Sequence, residues 1–322
     1  MKAVVLCPEA AAEPVVLVEP VGLVEPVALN RGGRLVDYIE LTKPRVAVLV
    51  LFTVAAGALL AGGPALRPML LIHTVLATAL VAAGASALNQ LLERHSDGRM
   101  RRTEGRPLPS GRLHAGEVLC FGLTLGVAGV VWLALALPAL CAAIVAAVTF
   151  VCYVAVYTPL KSRTTLNTLI GAVPGALPPV IGYTAVAGTI TVEAGTLFLI
   201  VFLWQIPHFL AIAWIYREDY ARASLRMLPV VDPDGRRTSR SMIAWCVALL
   251  LVSLLPLWFG PARWAYAAGA VLLGLAFLGG ALRFRHERTV ARARTVLRLS
   301  LLYLPGLLAL LLLDGAWAWL WR

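Results

Sequence analysis

Long apolar runs, each closed by a short polar stretch, recur along most of this chain. Nine stand out, at roughly 46–62, 69–91, 118–137, 139–157, 167–187, 195–216, 242–259, 265–282 and 299–318, with only Pro138 dividing the third from the fourth. Each is close to the ~20 residues that cross ~30 Å of hydrocarbon as a helix. A helix of that length also satisfies its own backbone inside lipid. The pattern predicts an all-α polytopic membrane protein, a bundle of about nine transmembrane helices. Residues 1–36 break the rhythm. "LVEPVGLVEPVAL" is an imperfect repeat with regular prolines, each of which removes a backbone donor and restricts its predecessor. It is too acidic and Pro-rich for a secretory signal. The expectation is a disordered Pro-rich lead over 1–36, then one transmembrane domain over 37–322.

Composition strengthens the membrane assignment: 60% of residues are hydrophobic and 14% charged, against about 25% charged in a soluble domain. The net charge of +11 is spread through short loops and forms no basic domain or tail, which argues against nucleic acid as a partner. With the N-terminus inside, all of the 28 lysines and arginines except Arg67, Arg263 and Arg322 fall on the inner side. The expected location is a bacterial-type inner membrane, with N-terminus and active-site loops cytoplasmic. The five cysteines include no CxxC, and four lie in apolar runs, so neither a disulfide framework nor a zinc site is expected.

The carboxylates concentrate at the inner face, which is where any chemistry should lie. In "LNQLLERHSDGRMRRTEGRPLPSGR", Asn89, Glu93 and Asp97 are spaced i, i+4, i+8. On a helix this spacing drifts about 40° and climbs about 6 Å per step, so the three share one stripe. Oxygen ligands on one face suit Mg²⁺, which is commonly held by one or two carboxylates plus substrate phosphates. Simple pairing with arginines is the competing explanation. Arg94, Arg99, Arg101, Arg102, Arg106 and Arg112 follow, and guanidinium forks match phosphate oxygens. Anionic lipid heads are the alternative partner for them. A second inner cluster combines Lys161 and Arg163 with Arg217, Glu218, Asp219 and Arg226, so acidic groups at two helix ends can clamp metal from two sides. Asp314, near the outer end of the last run, is expected to partner interfacial tryptophans.

Two deeper features remain. His208, in "FLWQIPHFLAIAW", is eleven residues before Asp219, about 16 Å deeper along a helix. An ionisable group at that depth is a functional candidate, although a neutral histidine satisfied by the carbonyl freed at Pro207 is a competing reading. In "NTLIGAVPGALPPVIGY", Gly171, Pro174, Gly175, Pro178 and Pro179 interrupt the fifth run. Small residues allow close helix approach and prolines leave kinks, so a pocket for a long lipid chain or simple packing would explain them. His73 lies far from both acidic sites, and spacing does not decide a role for His95.

Together "DYIELTKPRVAVLV", "NQLLERHSDGRMRRTEGRPLPSGR", "YTPLKSRTTLNTLIGAVPGALPPVIGY" and "WQIPHFLAIAWIYREDYARASLRMLPVV" resemble the UbiA-type membrane prenyltransferases over roughly residues 37–320. "RMRRTEGRPLPSG" and the "PHF…DY…MLPVV" elements point to their haem-farnesylating branch. The resemblance implies transfer of the farnesyl group of farnesyl diphosphate to the 2-vinyl group of haem B with addition of water, giving haem O and diphosphate. It implies Mg²⁺ or another divalent cation as cofactor, with haem B as substrate and not as a permanent cofactor. Membrane lipid, and a haem A synthase or terminal oxidase assembly, are the further partners it suggests. By position, Asn89, Glu93, Asp97 and Asp219 correspond to catalytic residues, and these with Glu218 to metal ligands. Arg101, Arg102, Arg106, Lys161 and Arg163 correspond to diphosphate-binding positions, with Lys43 and Arg45 as further candidates, and His208 to a haem contact. Glu93 stands where the family usually has Asp, and His95 where it often has another, which bears on the preferred divalent ion. The alternatives are a UbiA-type prenyltransferase of an aromatic or quinone precursor, and a transporter or lipid-binding scaffold. The inner-face acids and the lack of a clear internal repeat speak against a transporter.

Overall fold

The computed structural model describes residues 33–260 and 262–320, and among these nine helices are long and apolar enough to cross a membrane. A short helix α1 (Gly33–Leu41) precedes α2 (Pro44–Gly62) and α3 (Pro68–Asp97). After the inner loop come α4 (Ala115–Ala136) and α5 (Cys141–Val151), which runs through a π-helical turn at Cys152–Tyr157 into α6 (Thr158–Leu160). The fifth span is two halves, α7 (Asn167–Ala176) and α8 (Pro178–Ala187), which meet where Pro178 and Pro179 interrupt the run. α9 (Val192–Ile215) leads to the short helices α10 (Arg217–Arg222) and α11 (Leu228–Val231). Then follow α12 (Arg236–Val252), α13 (Pro256–Phe259), α14 (Trp264–His286) and α15 (Val290–Leu320).

The nine expected spans are all present, with shifted ends. The seventh begins at Arg236 and the ninth at Val290, each with arginine-bearing turns ahead of its apolar run. The expected lead over 1–36 falls outside the described residues up to 32. Residues 33–36 of that expected stretch lie in α1. The reason is visible in the ion pairs. Arg112 Nη1 donates to Asp37 Oδ1 at 2.6 Å, and Arg34 Nη2 donates to Glu117 Oε1 at 2.6 Å, stapling α1 to the α3–α4 loop and the first turn of α4.

Within lipid the apolar effect between helices is weak, so close backbone approach carries the packing. α2 crosses α8 where a side chain at Gly57 would strike Pro179 O and one at Gly182 would strike Val54 O. α3 crosses α4 likewise, where a side chain at Gly84 would strike Gly122 O and one at Gly129 would strike Ala77 O. α9 is the most enclosed described span, packed on α7, α12 and α15. Leu135, Leu272, Leu302 and Leu313 face outward, as suits lipid. Asp314, expected to partner interfacial tryptophans, is instead seen to accept at Oδ2 from the backbone N–H groups of Arg263 and Tyr266, and so caps α14.

Candidate active site

The α3 stripe forms as its spacing predicts. Asn89, Glu93 and Asp97 are all buried on one face, while His95 is exposed on another and stands apart from the ladder. Each ladder residue meets a partner from a different segment. Asn89 Oδ1 accepts from Lys43 Nζ at 3.1 Å, and its amide donates to Thr158 Oγ1 at 3.2 Å. Glu93 Oε1 pairs with Lys161 Nζ at 2.8 Å, and Asp97 Oδ2 with Arg106 Nη1 at 2.6 Å. Three cations therefore face three oxygen-bearing side chains across one mouth of the bundle.

Local structure aims each cation. Gln90 Nε2 donates to Leu41 O at 3.1 Å, closing the end of α1. The turn beyond it places Lys43 in the left-handed region at φ 49°, immediately before Pro44. That conformation costs a non-glycine residue about 1–2 kcal/mol, and such strain concentrates at functional sites. Lys161 ends the helix that follows the π-helical turn, an irregularity frequent at functional sites. Asn167 Nδ2 donates to Lys161 O at 3.1 Å and to Arg226 O at 3.2 Å, tying this loop to the one after α10.

The electrostatics differ between the two lysines. Burial and then the Arg106 charge lower Lys43 to about 8, with Glu93 and Asp97 acting the other way. Burial also works against charge on Lys161, but the Glu93 carboxylate, with Tyr157 and Tyr220, overrides it and holds this ammonium above the ordinary lysine range.

The second acidic cluster is split. Asp219 is buried in the first turn of α10 and pairs with Arg222 at 3.2 Å, while Glu218 is exposed. The neighbouring Tyr220 packs with Met100 of the α3–α4 loop, Ala213, Leu225 and Met227, so the two inner loops interlock. Arg102 lies over the Tyr216 ring at 4.8 Å. Arg45, Arg101 and Arg163 are exposed, and Arg112 is spent on α1. The structure thus gathers Asn89, Glu93, Asp97, Lys43, Lys161 and Arg106, and leaves Glu218, Arg45, Arg101, Arg102 and Arg163 exposed outside this set.

Among the described residues no three His, Cys, Asp or Glu side chains form a ready-made metal cage. The donor set still fits a hard divalent cation that completes its shell with phosphate oxygens. Asp97 is 1% exposed, and its Oδ1 is buried without a hydrogen-bond partner. A buried carboxylate oxygen left bare is costly unless something binds it.

Beneath this mouth is a cavity of about 380 Å³, within the range of small-molecule sites. Lys43, Lys161, Tyr157 and Tyr220 line it together with Gly171, Pro174 and Gly175, and so do Trp204, Gln205 and His208 deeper along α9. His208 Nδ1 is satisfied by Ser300 Oγ at 2.7 Å and not by a carbonyl freed at Pro207. Tyr153, Tyr157, Thr158, Asn167, Gln205 and Ser300 were not singled out from the sequence. A period-four pattern running on from the ladder cannot find them, and the π-helical turn has no sequence signature comparable to a proline.

The comparisons with known proteins agree with this arrangement. The family model described as the UbiA prenyltransferase family matches residues 50–321. A relative from Solibacter usitatus (strain Ellin6076), named protoheme IX farnesyltransferase, is 50% identical over 288 residues, covering 86% of this chain and 98% of its own. One of the same name from Salinibacter ruber is 46% identical over 284 residues, covering 86% and 98%. Among solved structures, a digeranylgeranylglyceryl phosphate synthase superposes with a TM-score of 0.73 at 17% identity, covering 88% of this chain and 99% of that one. A UbiA homologue from Archaeoglobus fulgidus bound to DMAPP and Mg²⁺ superposes at 0.62 and 15% identity, covering 85% and 99%. Similarity this extensive means that the chain belongs to the UbiA prenyltransferase family, alongside relatives named protoheme IX farnesyltransferase.

Proposed function

We propose that this chain transfers the farnesyl group of farnesyl diphosphate to the 2-vinyl group of haem B, with addition of water, giving haem O and diphosphate. The observation that carries the reading is one cavity with Lys43 and Lys161 at its charged mouth and His208 on its deep wall. The identity to relatives named for this activity supports it. A divalent cation, Mg²⁺ in the first instance, supplies positive charge to the leaving diphosphate when bound.

The residues then have distinct tasks. The C1–O bond of farnesyl diphosphate breaks, and its electron pair leaves with the diphosphate. Lys43, Lys161 and Arg106 stabilise that growing charge, an interaction stronger in the transition state than in the ground state. Phosphate oxygens would replace their present partners, and Asn89, Glu93 and Asp97, with Asp219 from the opposite loop, are the residues that would hold the cation. The apolar walls exclude water from the allylic cation. The terminal vinyl carbon of haem B forms the new C–C bond. The adjacent carbon, now electron-poor, takes the oxygen of water, and the water's extra proton passes to diphosphate or solvent. His208 is assigned as a contact to the haem. Arg101, Arg102, Arg163 and Arg45 form an outer basic rim that draws in the anionic substrate, and Glu218 flanks Asp219.

The same reading places the N-terminus and these loops on the cytoplasmic side of a bacterial-type inner membrane, with a haem A synthase or terminal oxidase assembly receiving the product. Purified protein given haem B, farnesyl diphosphate and Mg²⁺ should yield haem O by mass analysis. Failure to do so, with prenylation of 4-hydroxybenzoate instead, would move the assignment to an aromatic acceptor.

A further inference from the structure

Halfway through the bundle, α9 and α15 are joined by a neutral polar lock. Ser300 is fully buried, and its Oγ lies 2.7 Å from Leu297 O and 2.7 Å from His208 Nδ1. A serine hydroxyl carries one proton, and a backbone carbonyl can only accept. The proton therefore goes to Leu297 O, and the His208 contact must be supplied by a proton on Nδ1. In the neutral ring the lone pair is then on Nε2. Trp204, one turn earlier on α9, fixes the ring plane. Its Nε1 donates to Ser300 O at 2.7 Å, and its ring stacks on the imidazole with centroids 4.8 Å apart and planes 25° apart. With Nδ1 committed to α15, Nε2 is the ring nitrogen left to the cavity that His208 lines.

We infer that Ser300 is a positioning residue: it sets the His208 tautomer so that Nε2 presents a lone pair to an electron-poor centre in the cavity, the iron of the substrate haem. This rests on the reading that haem B enters this cavity and meets His208. The hydrogen bond to the second ring nitrogen is what orients a ligating histidine and raises its basicity. A ring turned over about its Cβ–Cγ bond would set a carbon against Ser300 Oγ and lose the bond, so the lock also discriminates between the two ring orientations.

The test is binding without turnover. Ferric haem B would be titrated into the detergent-purified full chain without farnesyl diphosphate, following the Soret band and the electron paramagnetic resonance spectrum. Affinity for a non-hydrolysable farnesyl diphosphate analogue with Mg²⁺ would be measured in parallel. Ser300→Ala should weaken haem binding about tenfold or more and alter the ligation spectrum. It should leave analogue affinity within about twofold, and Ser300→Thr should restore the haem spectrum. His208→Ala should abolish that spectrum. Wild-type haem affinity and spectrum in Ser300→Ala, while His208→Ala loses both, would overturn the role of Ser300 and keep His208. An unchanged spectrum in His208→Ala would instead overturn the haem contact itself. Equal losses of haem and analogue affinity in Ser300→Ala would mark general packing damage and also count against the proposal.

Discussion

The polar groups at the cavity mouth and those at its deep wall follow opposite rules. At the mouth the groups are charged: Lys161 pairs with Glu93, Arg106 with Asp97, and Lys43 reaches Asn89. At the deep wall they are neutral: Trp204, His208 and Ser300 hold one another through hydrogen bonds. Each rule suits its depth. At the mouth Glu93 and Asp97 are buried but each faces an opposite charge, so lysine and arginine can be traded for a cation and a diphosphate without leaving a charge unpaired. Inside the hydrocarbon layer an unpaired charge is expensive, so polarity there is neutral and its donors are committed. The mouth is suited to gripping and releasing an ion, and the deep wall to holding one geometry.

The largest expected effect lies at the mouth. Asp97→Ala and Asp219→Ala should each lower turnover by about 10²–10³-fold or more, the scale of losing a fixed transition-state stabiliser. Chelation should stop the wild-type reaction, and added Mg²⁺ should restore it, as read by haem O formation. Near-normal rates in both variants would show that these carboxylates are structural pairs, and the contrast between mouth and wall would collapse.

A pair swap sharpens the same contrast. Lys161→Met alone strands a buried carboxylate and should destabilise the protein by about 3–5 kcal/mol. Adding Glu93→Gln should recover most of the thermal stability but not the KM for farnesyl diphosphate. Recovery of both would mean that Lys161 only neutralises Glu93.

The deep wall should respond to shape where the mouth responds to charge. A methyl at Gly175 would strike Gln205 Oε1, so Gly175→Ala should cost about 1–3 kcal/mol in overpacking. Thermal denaturation in detergent would measure it, and an unchanged midpoint would show that Gln205 is free to move. The smallest effect is expected outside both clusters. Arg292→Ala removes an exposed pair with Glu287 and should leave the thermal midpoint nearly unchanged. Its turnover should stay within about twofold, because neither Arg292 nor Glu287 lines the cavity.

The legible parts of this molecule are those whose causes are local. Apolar run length found all nine described spans, and the i, i+4, i+8 spacing found the buried stripe of Asn89, Glu93 and Asp97. Helix ends at Arg236 and Val290 were misjudged because arginine-rich turns extend a helix beyond the lipid without an apolar signal. Charge counting also overstated the basic site. Arg112 and Arg102 carry the same charge as Arg106, yet one binds α1 and the other covers Tyr216.

By itself, the sequence determined that the chain carries nine membrane-length apolar helices among the described residues and which oxygens share a helical face. Hydrophobic run length and helical period decide these, and both act within one segment. Only the tertiary structure decided the partners: Lys43 for Asn89, Lys161 for Glu93 and Ser300 for His208, separated by 46, 68 and 92 residues. Those pairings depend on backbones meeting at Gly57, Gly84 and Gly182, on the π-helical turn before Lys161 and on the left-handed turn at Lys43. Each is a property of helices in contact or of a strained turn, so no local pattern in the sequence encodes it.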